Sequence, residues 1–595
     1  MSLFSHQARQ NGSRDLTLGE VPDTEIASLA GPCSIISDVT KIKKEMHGLN
    51  ISIKSPASTE PKQHQVSNSS ETKFEHPPFL PKDINISMPR QLHHLPVTPE
   101  RLVTLARSIY VNLLAMESKC VETYNTPLSK QGISVPFQDE LQSYIMLHGS
   151  LLGEYYDFFL VTQHPSASGS LRRLPFKYGM PARMWKFGIF CLLERMRKQL
   201  PDCLEYLLEY LNMAYNMMTL FYETVPILED VWAECLGDLA RYGMGVAERV
   251  HCGVWVNIAQ SWYAKLLRKS PTAGRLYHHL AVVEQRNALK QLFYFIKSLC
   301  VADPFLVGTR STSRLFALSA QTEQSPSRLR SIEAAFVKIH GIIWFGKTQD
   351  GLQECMDYFV YSLCDYINDF QTNWITSGHF IGVTLPCALL KPKTRSNPGP
   401  EEASSCKDVT GTPSAPDASH SPPEEMVRHS LDFMVRVFQT VLYQCANVNT
   451  LPFLHTMLVF IAHAAKDQTL MSAIEEMVPW RLIVVMLNHL FVCVRVLEPD
   501  YEVSDDFPTH LRRRPLPEDF AMRGLPLAED YFPSELFDDI RVDEEEKMPE
   551  RPWMAVSRME RILSLGCGIA GSGNWILWDA GTRQFLVHER YYDHN

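Results

Sequence analysis

The sequence has no cysteine pair at CxxC spacing and no Cys/His set at zinc-ligand spacing, although it holds 14 cysteines in 595 residues. Most of them, among them Cys191, Cys203, Cys235, Cys252, Cys300 and Cys355, fall in apolar stretches of helical periodicity, where a free cysteine acts as a small hydrophobe. Structural zinc and dithiol redox chemistry are therefore not expected, and no metal is assigned. An uninterrupted apolar run of membrane-span length is also missing. The most apolar stretch, CLEYLLEYLNMAYNMMTLFYE, is broken by Glu205, Glu209, Asn212 and Asn216. The opening MSLFSHQARQNGSRDL lacks an apolar core of signal-peptide size. These absences lead to the expectation of a soluble protein in a reducing compartment, with no membrane partner.

Catalytic constellations are lacking as well. No Ser/His/Asp grouping or carboxylate cluster stands out. GCGIAG at 566–571 has the glycine spacing of a dinucleotide loop, but an amphipathic helical stretch precedes it in place of a strand, and only 24 residues follow. His278 and His279 are adjacent, so on a helix they point about 100° apart, and no third ligand lies nearby; one is expected packed and the other exposed. An enzyme, a cofactor and a small-molecule substrate are not expected. Positive charge is short too: a formal net charge of −10 excludes wholesale coating of nucleic acid, which is driven by Lys and Arg. The acids gather late, as in ELFDDIRVDEEEKMPE, and leave a more basic middle.

What is present is helix. Residues 1–97 are rich in Ser, Pro, Lys, Asn and Gln without sustained periodicity, and read as a disordered tail. From VTPERLVTLARSIYVNLLAM onward the pattern is helical, and Thr98-Pro99-Glu100 supplies a capping hydroxyl, a first-turn proline and a first-turn acid. Residues 390–425, rich in Pro, Ser and Thr between two helical patterns, read as a disordered insertion. Strand character is confined to NWILWDAGTRQFLVHE, which alternates around DAGT and predicts a small hairpin. The fold class is all-α, divided into a helical domain over 98–320, a second over 321–500 and an acidic segment over 501–595. QSWYAKLLRKSPTAGRLYHHLA and LFYFIKSLCVADPF each carry an aromatic pair, a lysine turn and a closing proline, and Pro271 and Pro304 stand 33 residues apart. That is the period of degenerate tetratricopeptide repeats, paired helices that stack to bury a shared face.

Between Trp232 and Cys300 nine Lys/Arg face four acids. Of these, Lys265, Arg268, Lys269, Arg275 and Arg286, interleaved with Trp255, Trp262, Tyr263, Tyr277 and Tyr294, are candidates for contact with single-stranded nucleic acid or an acidic partner; a solvated helical face is the other reading.

WAECLGDLARY, WYAKLLRKSPTAGRLYHHLAVV and LFYFIKSLCVADPF, followed by FVKIHGIIWF, PWRLIVVMLNHL, LPEDFAMRGLPLAEDYF and RMERILSLG, together resemble the Est/SMG family. That family comprises the telomerase-associated "ever shorter telomeres" factor and the SMG factors of nonsense-mediated mRNA decay. The likeness is strongest to fungal proteins with an Est-type DNA/RNA-binding domain. It implies a 14-3-3-like tetratricopeptide array followed by an α-helical C-terminal domain, and an adaptor in nucleus and cytoplasm. Its partners would be proteins of mRNA decay or telomerase, and telomerase RNA or single-stranded telomeric DNA on the telomerase branch. A scaffold that has kept the fold without either ligand is a further alternative.

The resemblance also implies a phosphate site: in decay members an arginine at the position of Arg241 and a lysine on an earlier helix bind phosphate. Here Phe190 stands at the lysine position, with Lys186 four and Arg183 seven residues earlier on the same helical face, and Gly243 stands where relatives often carry a second arginine. Gly237 and Gly274 are expected to be structural, Gly237 letting two helices approach. Asp238, one turn from Arg241, would either orient it for a ligand or hold it structurally.

Overall fold

The computed structural model describes residues 97–125, 137–246, 249–285, 287–306, 331–345, 351–390, 424–508, 514–538 and 550–592. The expected N-terminal tail as far as residue 96, the body of the expected insertion and Arg286 lie outside the described residues. The described residues are all-α apart from a terminal hairpin, and form two compact units that divide between Leu236 and Gly237.

The first unit contains α1 (Pro99–Asn125), α2 (Phe137–Thr162), α3 (Cys191–Arg197), α4 (Leu204–Thr224) and the start of α5 (Glu229–Val246). Helix α1 begins at Pro99, with the Arg101 amide donating to Thr98 Oγ1 at 3.4 Å. Along α4, Leu207, Tyr210, Leu211, Ala214, Met218 and Phe221 are buried at helical spacing. The four polar residues that interrupt this apolar stretch, Glu205, Glu209, Asn212 and Asn216, all lie on its exposed face. At the centre, the Trp232 ring sits 5.2 Å from Phe159 and 4.9 Å from Phe221, and its indole N–H donates to the Val225 carbonyl at 3.1 Å.

A π-helical stretch, Met184–Phe190, precedes α3. Its Gly188 carbonyl accepts from His148 Nδ1 at 3.1 Å and from the Tyr210 hydroxyl. A Cβ on Gly188 would lie 2.8 Å from a Leu152 methyl, so a larger residue there would have to displace that side-chain tip. These buried side-chain donors satisfy a carbonyl in a stretch whose helical hydrogen bonding is irregular.

The second unit continues from α5 through α6 (Arg249–Lys269), α7 (Gly274–Val283), α8 (Ala288–Cys300), α9 (Ser331–Phe345), α10 (Leu352–Leu389), α11 (Glu424–Leu442), α12 (Leu451–Lys466), α13 (Gln468–Ile474), α14 (Trp480–Leu497), α15 (Pro517–Met522) and α16 (Pro552–Ser572). The two proline turns lie side by side: Gly274 N donates to Asp303 O at 2.9 Å, and Asp303 N to Thr272 O at 3.2 Å. A Cβ on Gly274 would meet Ser298 O at 2.4 Å, so only glycine lets these turns touch. Both histidines that follow are buried, at 2% exposure each, and this corrects the expectation of one packed and one exposed: α7 is covered on both sides. GCGIAG lies inside α16, where Gly566 approaches Leu487 of α14. Two helices, Val448–Lys466 and α14, are long and apolar enough to cross a membrane, with 72% and 44% of their windows buried within the fold.

The expected hairpin is present. Strands β1 (Ile576–Asp579) and β2 (Gln584–Val587) pair antiparallel with Leu577 opposite Leu586. Asn488 of α14 fixes the hairpin by hydrogen bonding both the amide (2.8 Å) and the carbonyl (2.9 Å) of Phe585.

Residues 514–538, including LPEDFAMRGLPLAEDYF, form an irregular strap with a fully buried ionic core. Glu518 accepts from Arg558 Nε (2.7 Å) and Nη2 (3.1 Å) of α16, and from His455 Nδ1 (3.1 Å) of α12. His455 Nε2 meets the Tyr531 hydroxyl at 2.7 Å. The adjacent Asp519 binds Arg561 Nη1 at 2.5 Å and accepts from the Leu516 amide at 2.7 Å. Burial opposes ionisation of Glu518, but Arg558 and His455 together hold its carboxyl well below the usual range.

On its other side the strap is pinned by Lys297 of α8. This fully buried ammonium donates to the carbonyls of Phe520 (3.0 Å) and Ala521 (2.8 Å) and lies 4.3 Å from the Tyr277 ring. Gly524, at φ +84°, passes so close to Pro271 that a Cβ would stand 2.0 Å from its carbonyl oxygen.

Replacing Arg558 by Met leaves Glu518 buried without its main partner and is expected to cost about 3–5 kcal/mol in denaturant unfolding. The double variant Glu518→Gln/Arg558→Met is expected to regain a large part of that loss. Lys297 generates a pH dependence, because burial lowers its pKa to about 7. An unfolded lysine titrates near 10.4, so between these values the unfolded chain binds a proton that the folded chain does not. Wild-type stability therefore gains on Lys297→Met as pH rises from 7 to 10; parallel pH profiles of the two proteins would contradict the assignment.

Candidate functional site

The two glycines of WAECLGDLARYGMG answer to two aromatic rings. A Cβ on Gly237 would lie 2.7 Å from Tyr263 Cε1 of α6, and one on Gly243 would lie 2.7 Å from the Trp255 ring. The helix pair closes to this distance, and the closure brings Asp238, Arg241 and Tyr263 into one buried triangle. Arg241 Nη2 donates to Asp238 Oδ1 at 2.9 Å, Arg241 Nε to the Tyr263 hydroxyl at 3.2 Å, and that hydroxyl to Asp238 Oδ1 at 2.7 Å. Arg241 retains only 7% exposure. Burial would weaken its charge, but Tyr263 and Asp238 outweigh this and keep the guanidinium protonated. Tyr263 is pushed well above its ordinary range, by burial first and Asp238 next, so it stays a neutral donor.

His279 stacks on Tyr263 with centroids 5.3 Å apart. Burial, then the neighbouring Arg241, His278 and Arg275, hold its pKa well below the ordinary value, and His278 is lowered to about 4, chiefly by burial. Both rings are therefore neutral at pH 7, and Arg241 faces no second cation from them.

The other phosphate candidates lie in the first unit. Arg183 donates to Glu117 through Nε (3.2 Å) and Nη2 (2.5 Å), and its guanidinium lies 5.6 Å from the Tyr110 ring. Glu117 also accepts from the Tyr155 hydroxyl. Lys186 and Phe190 are half-buried in the π-helical stretch, with Lys186 Nζ 5.3 Å from the Phe187 ring.

Of the basic surface candidates, Arg268 and Lys269 are exposed at the end of α6, and Lys265 and Arg275 are half-buried. The carbonyl of Arg268 accepts from Arg523 of the strap at 3.2 Å. Two of the nine cations in this region, Arg241 and Lys297, are interior, and Tyr263 and Tyr277 are core residues, so the basic surface is smaller than the sequence count suggests. Lys297 as a strap anchor had no sequence signal beyond its place on the apolar face of α8, between Phe293 and Cys300.

No family model matches the chain. A zebrafish (Danio rerio) protein named telomerase-binding protein EST1A is 34% identical over 84 residues, which is 14% of this chain and 5% of that protein. The fold resembles a solved structure, the crystal structure of Est1 and Cdc13, with a TM-score of 0.50 and 9% identity, over 81% of this chain and 99% of that one. The matched stretch is thus similar to EST1A, and the fold to that of the solved Est1 structure.

Glycine at position 243 has a local physical reason. At position 243 any side chain longer than glycine collides with the Trp255 ring, so an arginine there would require the α5–α6 contact to open. Arg241 completes the buried triangle.

Arg241→Glu places a second carboxylate beside Asp238 inside the fold and is expected to lower stability by about 3–5 kcal/mol in denaturant titration. Gly237→Ala, which must push Tyr263 off Asp238, is expected to cost about 1–3 kcal/mol. An unchanged midpoint for Arg241→Glu would mean that the triangle contributes nothing to folding.

Proposed function

We propose that this Est/SMG-type helical protein is a non-catalytic adaptor that recruits protein partners on the surface of its helical array, in the manner of 14-3-3-like tetratricopeptide proteins. The observation that carries this reading is the interior itself. The charged groups brought together there (Glu518, Asp519, Arg558 and Arg561; Asp238 and Arg241; Glu117 and Arg183) are bound to one another, as structural ion pairs are. What faces outward at the paired proline turns is the exposed Arg268 and Lys269, flanked by half-buried Lys265 and Arg275, a surface suited to an acidic partner segment.

The telomerase context is favoured because the zebrafish relative is named a telomerase-binding protein and the similar fold was solved as Est1 with Cdc13. In that context the protein would act in the nucleus. A decay adaptor acting in nucleus and cytoplasm is the second reading, supported by Arg241 at the family's phosphate-ligand position. For a phosphorylated peptide to use Arg241 and Arg183 it must displace Asp238 and Glu117, each ion pair being largely desolvated. The adaptor reading therefore rests on the outer surface and not on a phosphate pocket.

Affinity purification of the tagged full chain, with and without RNase, tests this. Telomerase components in the eluate support the favoured context, and mRNA-decay factors the second. Recovery of neither would leave a scaffold without these partners and overturn the adaptor reading. Arg268→Glu/Lys269→Glu is expected to reduce partner recovery several-fold with the thermal midpoint unchanged.

A further inference from the structure

Helix α14 has two apolar faces. Trp480, Ile483, Met486, Leu487, Leu490 and Val494 are buried at helical spacing and hold it in the second unit. On the opposite side Arg481, Val485, His489, Val492 and Val496 recur every three or four residues and are all exposed, with Leu497 beside the last. The four apolar members keep 55–77% of their surface in solvent. Three of them are valines, whose stiff side chains lose little freedom when covered. His489 adds little polarity to the stripe, because its Nε2 meets Cys493 Sγ of the same helix at 3.7 Å.

The two ends of this stripe carry opposite charge. At the start, the acids Glu475 and Glu476 are met by Arg590 at 3.5 and 3.7 Å, which leaves Arg481 exposed and without an ion pair among the described residues. Beyond the last turn Glu498, Asp500 and Glu502 are exposed and likewise make no ion pair among the described residues. A lipid surface is a poor occupant for this face, since covering the valines would carry three carboxylates to the headgroups. A two-fold interface uses one patch twice, so the patch must be complementary to itself. An apolar centre with a free cation at one end and free anions at the other meets that condition.

We propose that the exposed face of α14 is a self-association surface, on which a second copy of this chain packs antiparallel about a two-fold axis near Phe491. That pairing sets Val485 against Leu497 of the second copy and brings both Val492 side chains close to the axis. Each Arg481 then lies beside Asp500 and Glu502 of the other copy, because Arg481 and the Asp500–Glu502 segment are equally far from Phe491 in sequence. The helix dipoles also oppose. A parallel pair would place Arg481 against Arg481 and loses both advantages. The surface lies in the second unit, uses none of the residues assigned to adaptor partners above, and stands or falls independently of that reading.

The test is sedimentation velocity of the full chain from about 1 to about 50 µM, the range of a weak, small interface. A monomer–dimer equilibrium is expected across it. Val492→Glu sets two carboxylates near the axis and is expected to weaken the dimer about tenfold or more. Arg481→Glu is expected to weaken it about fivefold or more, and the charge swap Arg481→Glu/Asp500→Lys/Glu502→Lys to restore most of that loss, which only the antiparallel arrangement allows. These side chains are exposed, so thermal midpoints at the lowest concentration should match the wild type. A wild-type monomer at about 50 µM, or a dimer indifferent to Val492→Glu, would overturn the proposal. So would a swap that fails to restore association. A monomer whose Val492→Glu variant melts far below the wild type would show the face covered by the chain's own residues, and a monomer that cosediments with phosphatidylcholine vesicles unless Val492 is replaced would assign it to lipid.

Discussion

Much of the second unit depends on the carboxylate of Glu518. It is fully buried, and in that position it is tolerable only because Arg558 and His455 arrive from two different helices to satisfy it. A carboxylate of this kind specifies as well as stabilises. It requires α12, α16 and the strap to be assembled in one register, since any slip would leave an uncompensated charge in the interior. Asp519 and Arg561 repeat the constraint one residue further on, and Lys297 applies it from α8 with two carbonyls in place of a carboxylate. An irregular segment with little regular hydrogen bonding of its own is in this way held as firmly as a helix.

The Asp238–Arg241–Tyr263 triangle uses the same physics on a smaller scale. Gly237 lets the α6 tyrosine reach the aspartate, and the arginine is charged because the tyrosine and aspartate outweigh the cost of burying it. A position that reads as a ligand site by family resemblance is thus also a packing joint. The two roles would compete for one guanidinium, which in the structure is held by Asp238 and Tyr263.

Surfaces follow from what the interior consumes. Arg241 and Lys297 belong to the region with the largest sequence excess of cations, yet both are used inside. Net charge along a window therefore says less about a binding surface than the partition of that charge between core and solvent.

The sequence by itself determined the elements. The polar residues at 205, 209, 212 and 216 fall on one helical face, so α4 was readable as an amphipathic helix; DAGT between alternating runs specified the hairpin; and the 33-residue spacing of Pro271 and Pro304 announced two like turns. Such features are local, and periodicity of 3.6 or 2 encodes which face is buried. Asp238 could be paired with Arg241 for the same reason, being one turn away. Tertiary structure alone decided the rest. Tyr263 joins that pair from 22 residues beyond Arg241, Glu518 finds Arg558 at a separation of 40 and His455 at 63, and Lys297 finds its carbonyls more than 220 residues on. Both His278 and His279 became interior because helices cover α7 on more than one side, which no pattern within ten residues can express. A periodic pattern states that a side chain goes inside; which charge meets it there is fixed only when distant helices pack.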